Sequence, residues 1–439
     1  MEDVMHDRFH LRNSSLRLAA IVAVVAVLEL ASFSHASAYT LHRPHSFCAE
    51  NNCHDGKGPG GRLVSDTSGD LYGATYDGGL SYSGTVYELV PNALRTKWAY
   101  HRLHSFCEDQ VSCKDGWAPN GGLIIDAAGN LYGTTMRGGS NHNGVIYELS
   151  KTANGWTYRT IYNFTGIGGN SVPSTGLAYY GQQLGAPWDG SSPLFGTTDK
   201  DVYGKGGIVY VLNHDGDTWN VSVIHQFSSG SFPQALLVDS SFNLFGETRG
   251  GGKYGAGTLY ELTAGSWKET TLHAFCSSAN CTDGNDPIGG LVLDAAGNLY
   301  GVTYNGGSNC QSNQFPGCGV AFRRTADGTF SVIYNFCSDT TACHDGSAPN
   351  SLVIDASGNL YGTAYYGGLS GNNGGVVFQL YPGVVSVLYS FCSQNPPNCT
   401  DGKSPYAPLL EDGAGNLFGV TESGGVHDPS GGEVFELKP

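Results

Sequence analysis

The sequence predicts an all-β fold, a seven-bladed β-propeller of four-stranded antiparallel blades whose ring is closed by the N-terminal strand completing the last blade. Three observations predict it. A motif of Asp, four residues, Leu, an aromatic and Gly recurs at Asp66, Asp126, Asp189, Asp239, Asp294, Asp355 and Asp412, and self-similarity of this kind marks a repeat architecture. Each copy offers four short strand-like segments separated by turn residues, the pattern of an antiparallel blade. After residue 38 the chain opens on a fourth-type strand, "YTLHRPHSF", and it ends on a third-type strand, "GGEVFELKP". Joining the two completes a seventh blade and leaves no open edge, whereas a linear solenoid would want capping repeats.

Within a unit, "GLIID" is the first strand and "LYGTT" the second. The "DAAGN" between them is a hairpin turn, with Asp accepting from the backbone and Gly-Asn taking positive φ. These aspartates are therefore turn-makers and not catalytic acids. A Gly pair follows in most copies, at Gly78–Gly79, Gly138–Gly139, Gly306–Gly307, Gly367–Gly368 and Gly424–Gly425. "GVIYEL" is the third strand. The fourth, as in "YHRLHSF", ends on His or Tyr, one residue, then Phe. The propeller domain is expected over 39–439, with repeats starting near residues 45, 104, 162, 225, 273, 334 and 389.

Residues 1–38 read as a signal peptide. Arg8, Arg12 and Arg17 precede the apolar run Leu18–Phe33, and Ala36 and Ala38 fit an A-x-A cleavage site before Tyr39. The alternative is an uncleaved anchor, but the run is short and carries Glu29. Charged residues are only 14% and Gly is 65 of 439, a turn-rich composition. The formal charge of −16 argues against nucleic acid, which needs a basic stripe.

"DAAGNLYG" occurs at Asp126–Gly133 and Asp294–Gly301, and "DASGNLYG" at Asp355–Gly362. These units resemble the Gloeo/Verruco (GloVer) tandem repeat, whose copies read much like "DAAGNLYGTTYGGG…GGTVFEL", and the resemblance covers nearly all of residues 39–439. It implies an exported bacterial propeller protein of undefined activity, often with a C-terminal surface anchor. Here the chain stops with the last blade at Pro439, so the expectation is a secreted or periplasmic protein without that anchor.

The cysteines form six close pairs: Cys48/Cys53, Cys107/Cys113, Cys276/Cys281, Cys310/Cys318, Cys337/Cys343 and Cys392/Cys399. An even count in an exported chain reads as local disulfides, each closing a short loop worth roughly 2 kcal/mol on the chain-entropy model. Zinc is the rival, encouraged by His54 and His344 after a Cys. Lys114, Thr282 and Thr400 fill that position elsewhere, and the spacing is not C-x2-C.

By propeller connectivity the disulfide loops and the Gly-Gly loops emerge on one face, and binding residues favour loops held by a rigid scaffold. That face is expected to carry Asp55, Asp115, Asp283, Asp345 and Asp401, each in a "D-G". Tyr76, Tyr82, Trp117, Tyr203, Tyr254, Tyr304 and Tyr366 lie in or beside the same loops. Carboxylates beside aromatic faces suit sugars. The competing reading is that each Asp only caps its own turn. A calcium role has no ligand spacing behind it. Copies three and four lack the Cys pair, and copy three inserts "YYGQQLGAPWDGSSP", expected near the opposite face, while "TGIGGNSVP" and "DVYGKGG" stay on the disulfide face.

No G-x-S-x-G, P-loop or H-E-x-x-H appears. "NHDGDTW" (Asn213–Trp219) is an imperfect Asp box like that of sialidase-type propellers, with His214 where the Asp belongs. His45, His104, His225 and His273 share a strand position with Tyr162, Tyr334 and Tyr389, which spreads them around the ring as blade-packing residues. The function expected is a secreted, non-catalytic binding or scaffold propeller, recognising extracellular polysaccharide or a surface protein through its disulfide face. A monomer is expected, with no cofactor, no metal and no membrane contact after signal cleavage. The alternatives are a propeller lyase or glycosidase, since "DAAGNLYG" also resembles streptogramin-lyase-like repeats, and a purely structural surface protein.

Overall fold

Each residue of the repeated "LYG" has a separate structural task in the computed structural model, which describes residues 39–166, 172–173, 175–199, 206–216, 218–309, 318–339 and 342–439. The leucines from Leu71 to Leu417 are buried in all copies. The tyrosine reaches back to its turn: the hydroxyls of Tyr72, Tyr132 and Tyr300 donate to Asp66, Asp126 and Asp294 at 3.1, 3.0 and 3.0 Å. The glycine is a bare floor. A Cβ on Gly133 would stand 2.4 Å from the Tyr147 hydroxyl oxygen, so the third strand's aromatic ring lies flat only over glycine.

The turn is built as the sequence predicts, with one difference. Asp126 Oδ1 accepts the Ala128 and Asn130 N–H groups at 2.9 and 2.8 Å, and Gly129 sits at φ 86°. Of the expected Gly-Asn pair only the glycine is left-handed. Asn130 instead donates its side-chain amide to Asp126 Oδ2 at 2.9 Å.

Seven antiparallel sheets result. Blade one is Lys57–Ser65, Leu71–Asp77, Thr85–Pro91 and Trp98–Ser105, and blades four to six repeat that order over Pro233–Ala274, Asn285–Asn335 and Ser347–Ser390, with blade five's inner strand split into Asn285–Pro287 and Val292–Leu293. Blade two runs from Trp117 to Asn163, its inner strand split into Trp117–Pro119 and Ile124–Ile125. Blade three has three strands, Leu194–Thr197, Ile208–Asp215 and Thr218–Gln226, with the Ala178–Phe195 bridge in place of an inner strand. Blade seven combines Lys403–Glu411, Leu417–Ser423 and Glu433–Lys438 with Thr40–Ser46, which pairs from Thr40↔Lys438 to Ser46↔Glu433. The chain's first strand thus closes the ring as its outermost strand.

Aromatic contacts join the blades. The Phe that ends each fourth strand meets the third-strand ring of the next blade: Phe47 with Tyr87 at 5.1 Å, Phe106 with Tyr147 at 5.2 Å, and onward to Phe391 with Phe435 at 5.0 Å. Such pairs contribute about 0.5–1.5 kcal/mol each beyond area burial. Around the axis the inner strands meet backbone to backbone, and a Cβ on Gly61 of blade one would lie 2.1 Å from the Gly122 nitrogen of blade two.

Candidate functional site

The loop between one blade's outer strand and the next blade's inner strand is tied inward. Five disulfides close these loops: Cys48–Cys53, Cys107–Cys113, Cys276–Cys281, Cys337–Cys343 and Cys392–Cys399. Cys310 of the sixth expected pair lies outside the described residues, and Cys318 is buried. The Gly-Gly loops pack against them, with the Gly79, Gly139 and Gly425 N–H groups donating to the Cys53, Cys113 and Cys399 carbonyls at 2.9, 2.8 and 3.0 Å. The two loop sets share one face. Among the described residues, two places bring Cys and Asp ligand atoms together, Cys107/Asp109/Cys113 and Cys337/Asp339/Cys343, but the sulfurs are joined as disulfides.

The five "D-G" aspartates are turned into their own loops, in line with the competing reading that each caps its own turn. Asp55, Asp283, Asp345 and Asp401 are buried, and Asp115 is half-buried. Each holds its loop from inside. Asp55 lies 3.0 Å from His45 Nε2 and accepts the Ala49 and Glu50 N–H groups at 3.0 and 3.2 Å. His104–Asp115 and His273–Asp283 repeat the pair at 3.0 Å, and Tyr334 and Tyr389 replace the histidine at 2.6 and 3.0 Å from Asp345 and Asp401. Burial pushes the Asp55 carboxyl up, but the bonds from His45, Ala49 and Glu50 outweigh it and leave the pKa below the ordinary range. The same histidines stack on the neighbouring blade, His45 on Tyr100 at 4.5 Å and His104 on Tyr158 at 4.3 Å. They pack blades and brace loops together.

The aromatic candidates separate into groups. Trp117 is half-buried, with the Arg137 guanidinium 4.9 Å from its ring centroid. Tyr82 and Tyr254 are exposed on Gly-Gly loops, and Lys253 Nζ lies 5.1 Å from the Tyr254 ring centroid. Tyr203, like most of "TGIGGNSVP" and "DVYGKGG", lies outside the described residues. Tyr76 and Tyr304 occupy one register position, the residue that follows "L-Y-G-x-T", and Tyr366 stands one residue beyond it.

That position is occupied by Tyr76, Met136, Asp199, Arg249, Tyr304, Tyr365 and Glu422 at the start of the Gly-Gly loops, and of these Arg249 lines the central cavity. Arg249 lines the cavity with Tyr406, and its Nε and Nη2 donate to Asp286 Oδ1 and Oδ2 at 2.7 and 2.9 Å. The Tyr365 hydroxyl donates to Glu422, and its ring meets Tyr406 at 6.5 Å. Burial first, then the neighbouring Tyr366 hydroxyl, pushes the Tyr304 hydroxyl well above its ordinary pKa, so it stays a donor. The Asp286 bonds, ahead of burial, hold the Arg249 guanidinium charged. This end of the cavity therefore presents phenol faces and hydroxyls around an already paired cation.

The cavity, of about 1180 Å³, continues through the ring between walls that include Asn120, Gln234 and Asn350. Its far end reaches the hairpin turns at Asp294, Asp355 and Asp412, where Gln182, Gln183, Leu184 and Gly185 of the copy-three insertion also line it. The insertion thus lies at the opposite face, as expected.

Sequence reasoning missed Arg249, Asp286, Tyr365, Tyr406 and Glu422. The signal was available: the residue after "L-Y-G-x-T" takes a different chemistry from copy to copy while its neighbours repeat.

The sequence pattern described as the Gloeobacter/Verrucomicrobia repeat matches residues 32–187, 179–343 and 280–439. Comparison with curated proteins gives no match. Among solved structures, the chain is similar to a protein from Bacteroides fragilis NCTC 9343 assigned provisionally as a 6-phosphogluconolactonase, at 11% identity and a TM-score of 0.45, covering 81% of this chain and 95% of that one. A provisional 6-phosphogluconolactonase from Bacteroides uniformis ATCC 8492 matches at 11% identity and a TM-score of 0.46, covering 81% and 92%. A puromycin-hydrolysing peptidase of Mycobacterium tuberculosis matches at 11% and 0.40, covering 87% of this chain and 60% of that one. Likenesses of this size carry no argument about activity.

Proposed function

The chain belongs to the Gloeobacter/Verrucomicrobia repeat family, and on that premise we propose that it is an exported, non-catalytic binding propeller whose cavity mouth on the disulfide face takes a neutral carbohydrate. The observation that carries this reading is a cluster at that end of the cavity: Arg249 and Tyr406 line it, the Tyr365 ring meets Tyr406, Tyr304 lies beside Arg249, and Asp286 already compensates the Arg249 charge. Aromatic faces stack on sugar rings, and phenol hydroxyls exchange hydrogen bonds with sugar hydroxyls. A paired guanidinium and a formal charge of −16 disfavour a polyanion. Export is supported by the five disulfides, which persist in oxidising compartments, and by the signal-like residues 1–38. Among the described residues no helix is long and apolar enough to cross a membrane.

The test is a glycan array probed with the oxidised protein, beside a Tyr304→Ala, Tyr365→Ala double variant. Retention on neutral glycans that falls at least tenfold in the variant is expected. Retention on acidic glycans alone, or on none, overturns the reading.

A further inference from the structure

The central cavity opens on the turn face, where Asp66–Gly69, Asp294–Ala296, Asp355–Gly358 and Asp412–Gly413 line it. Three arginines line the same cavity, and two of them are paired with carboxylates. Arg95 Nη1 lies 2.9 Å from Asp412 Oδ2, and Arg249 Nε and Nη2 hold both Asp286 oxygens. Arg62 has no such partner. Its Nη1 donates to the Gln182 carbonyl at 3.2 Å, its Nε is buried without an acceptor, and among the described residues no carboxylate pairs with it. Burial pulls the guanidinium down from its ordinary pKa, with the Tyr179 phenol opposing the shift. The place of Arg62 in the repeat is equally singular. It stands two residues before the inner-strand partner of the "LYG" or "LFG" aromatic, where the other blades have Gly122, Gly176, Ala235, Gly290, Ser351 and Pro408. Gly176, Ala235, Gly290 and Pro408 line the cavity as Arg62 does. The position belongs to the cavity wall, and blade one alone sets a charge there.

We propose that the turn-face end of the cavity binds a small monocarboxylate on Arg62. A desolvated charge without a counter-charge is costly, and an anionic ligand relieves that cost. A guanidinium suits a planar oxyanion, gripping two oxygens at once, as Arg249 already does with Asp286 in the same cavity. The bond to Gln182 ties the blade-three insertion to blade one, but a tie to one backbone carbonyl needs a donor and not a formal charge. One cation matches one negative charge. Asp66, Asp294, Asp355 and Glu411 at the opening disfavour a more highly charged anion, while Arg95 offsets Asp412. The site lies at the other end of the cavity from Arg249 and does not rest on the carbohydrate reading.

The test titrates the full oxidised chain by calorimetry with acetate, L-lactate, D-glucuronate and D-galacturonate, and with inorganic phosphate and sulfate as oxyanions of higher charge. At least one carboxylate is expected to bind, more tightly than phosphate or sulfate. Arg62→Gln, which keeps a donor and removes the charge, should weaken that binding at least tenfold, and Arg62→Lys should weaken it less. The Tyr304→Ala, Tyr365→Ala double variant should bind the carboxylate unchanged. The proposal is overturned if no carboxylate binds, if affinity is unchanged in Arg62→Gln, or if phosphate or sulfate binds more tightly than every carboxylate. Should near-ultraviolet circular dichroism show an altered fold in Arg62→Gln, a crystal of the unaltered protein soaked with the tightest carboxylate decides. A carboxylate on the Arg62 guanidinium upholds the site, and one bound elsewhere overturns it. Failure here leaves the carbohydrate reading standing, and absence of neutral-glycan binding leaves this site standing.

Discussion

Gln183 of blade three and Leu293 of blade five, 110 residues apart in sequence, exchange two hydrogen bonds across the turn-face end of the cavity. The side-chain amide treats the Leu293 backbone as a neighbouring strand would. Removing it should leave the Leu293 amide without its acceptor. Gln183→Ala is expected to speed hydrogen exchange at Leu293 and through Tyr179–Pro193. Global stability should fall by only about 1 kcal/mol, the usual net worth of such bonds. Exchange mass spectrometry checks this, and unchanged exchange at Leu293 would contradict the contact.

The loop aspartates brace the disulfide face. Asp55→Asn or Asp283→Asn should destabilise by about 1–3 kcal/mol, because His45 or His273 and the loop N–H groups lose a charged acceptor. Both carboxyls have pKa values below the ordinary range in the folded protein. Their contribution is therefore present above the unfolded aspartate value and lost as pH falls through the folded one. Urea denaturation at pH 7 and at pH 2.5 should show a smaller deficit for the variants at the second pH than at the first.

Glu247 stands on the second strand of blade four where other copies have Ala74, Thr134 or Val302, and it is fully buried. Burial pushes its carboxyl up to about 8. Folded protein then holds a proton that the unfolded chain releases, so stability falls as pH rises from the ordinary glutamate range to about 8. Glu247→Gln should flatten that slope and raise the melting temperature at pH 8 relative to the unaltered protein. Glu433, also buried and raised to about 8, keeps a residual slope of the same sign. A slope unchanged in Glu247→Gln would contradict the assignment.

The disulfides act locally. Cys276→Ser with Cys281→Ser opens a loop of sequence separation 5. The cost should be about 2 kcal/mol on the chain-entropy model. Thermal unfolding with and without reductant checks this: the reductant-induced shift should be smaller in the double variant by that bond's share.

The fold was legible because it is written repeatedly. The seven "LYG" or "LFG" motifs, the terminal half-blades and the strand-ending Phe residues each point to closed blades, and each has a contact behind it, from Gly133 under Tyr147 to Phe47 against Tyr87. The loop bracing was half legible. His45 and Asp55 are 10 residues apart and bonded, yet as separate motifs they read as a packing residue and a ligand candidate. The copies after Tyr162 and His225 lack both the Cys pair and the "D-G", the clue that Asp belongs to the disulfide loop. The cavity mouth was least legible. Arg249 meets Asp286 from a different repeat unit, and Tyr365 meets Glu422 likewise. Contacts between residues whose chemistry changes from copy to copy leave no periodic trace.

The central claim is that the cavity mouth on the disulfide face binds a neutral carbohydrate. Its most direct measurement is a crystal structure of the oxidised protein soaked with the neutral glycan retained on the array. A sugar ring against Tyr304, Tyr365 or Tyr406, with Arg249 still paired to Asp286, is the predicted result. A sugar on the turn face or on the outer strands, with the mouth empty, would contradict it.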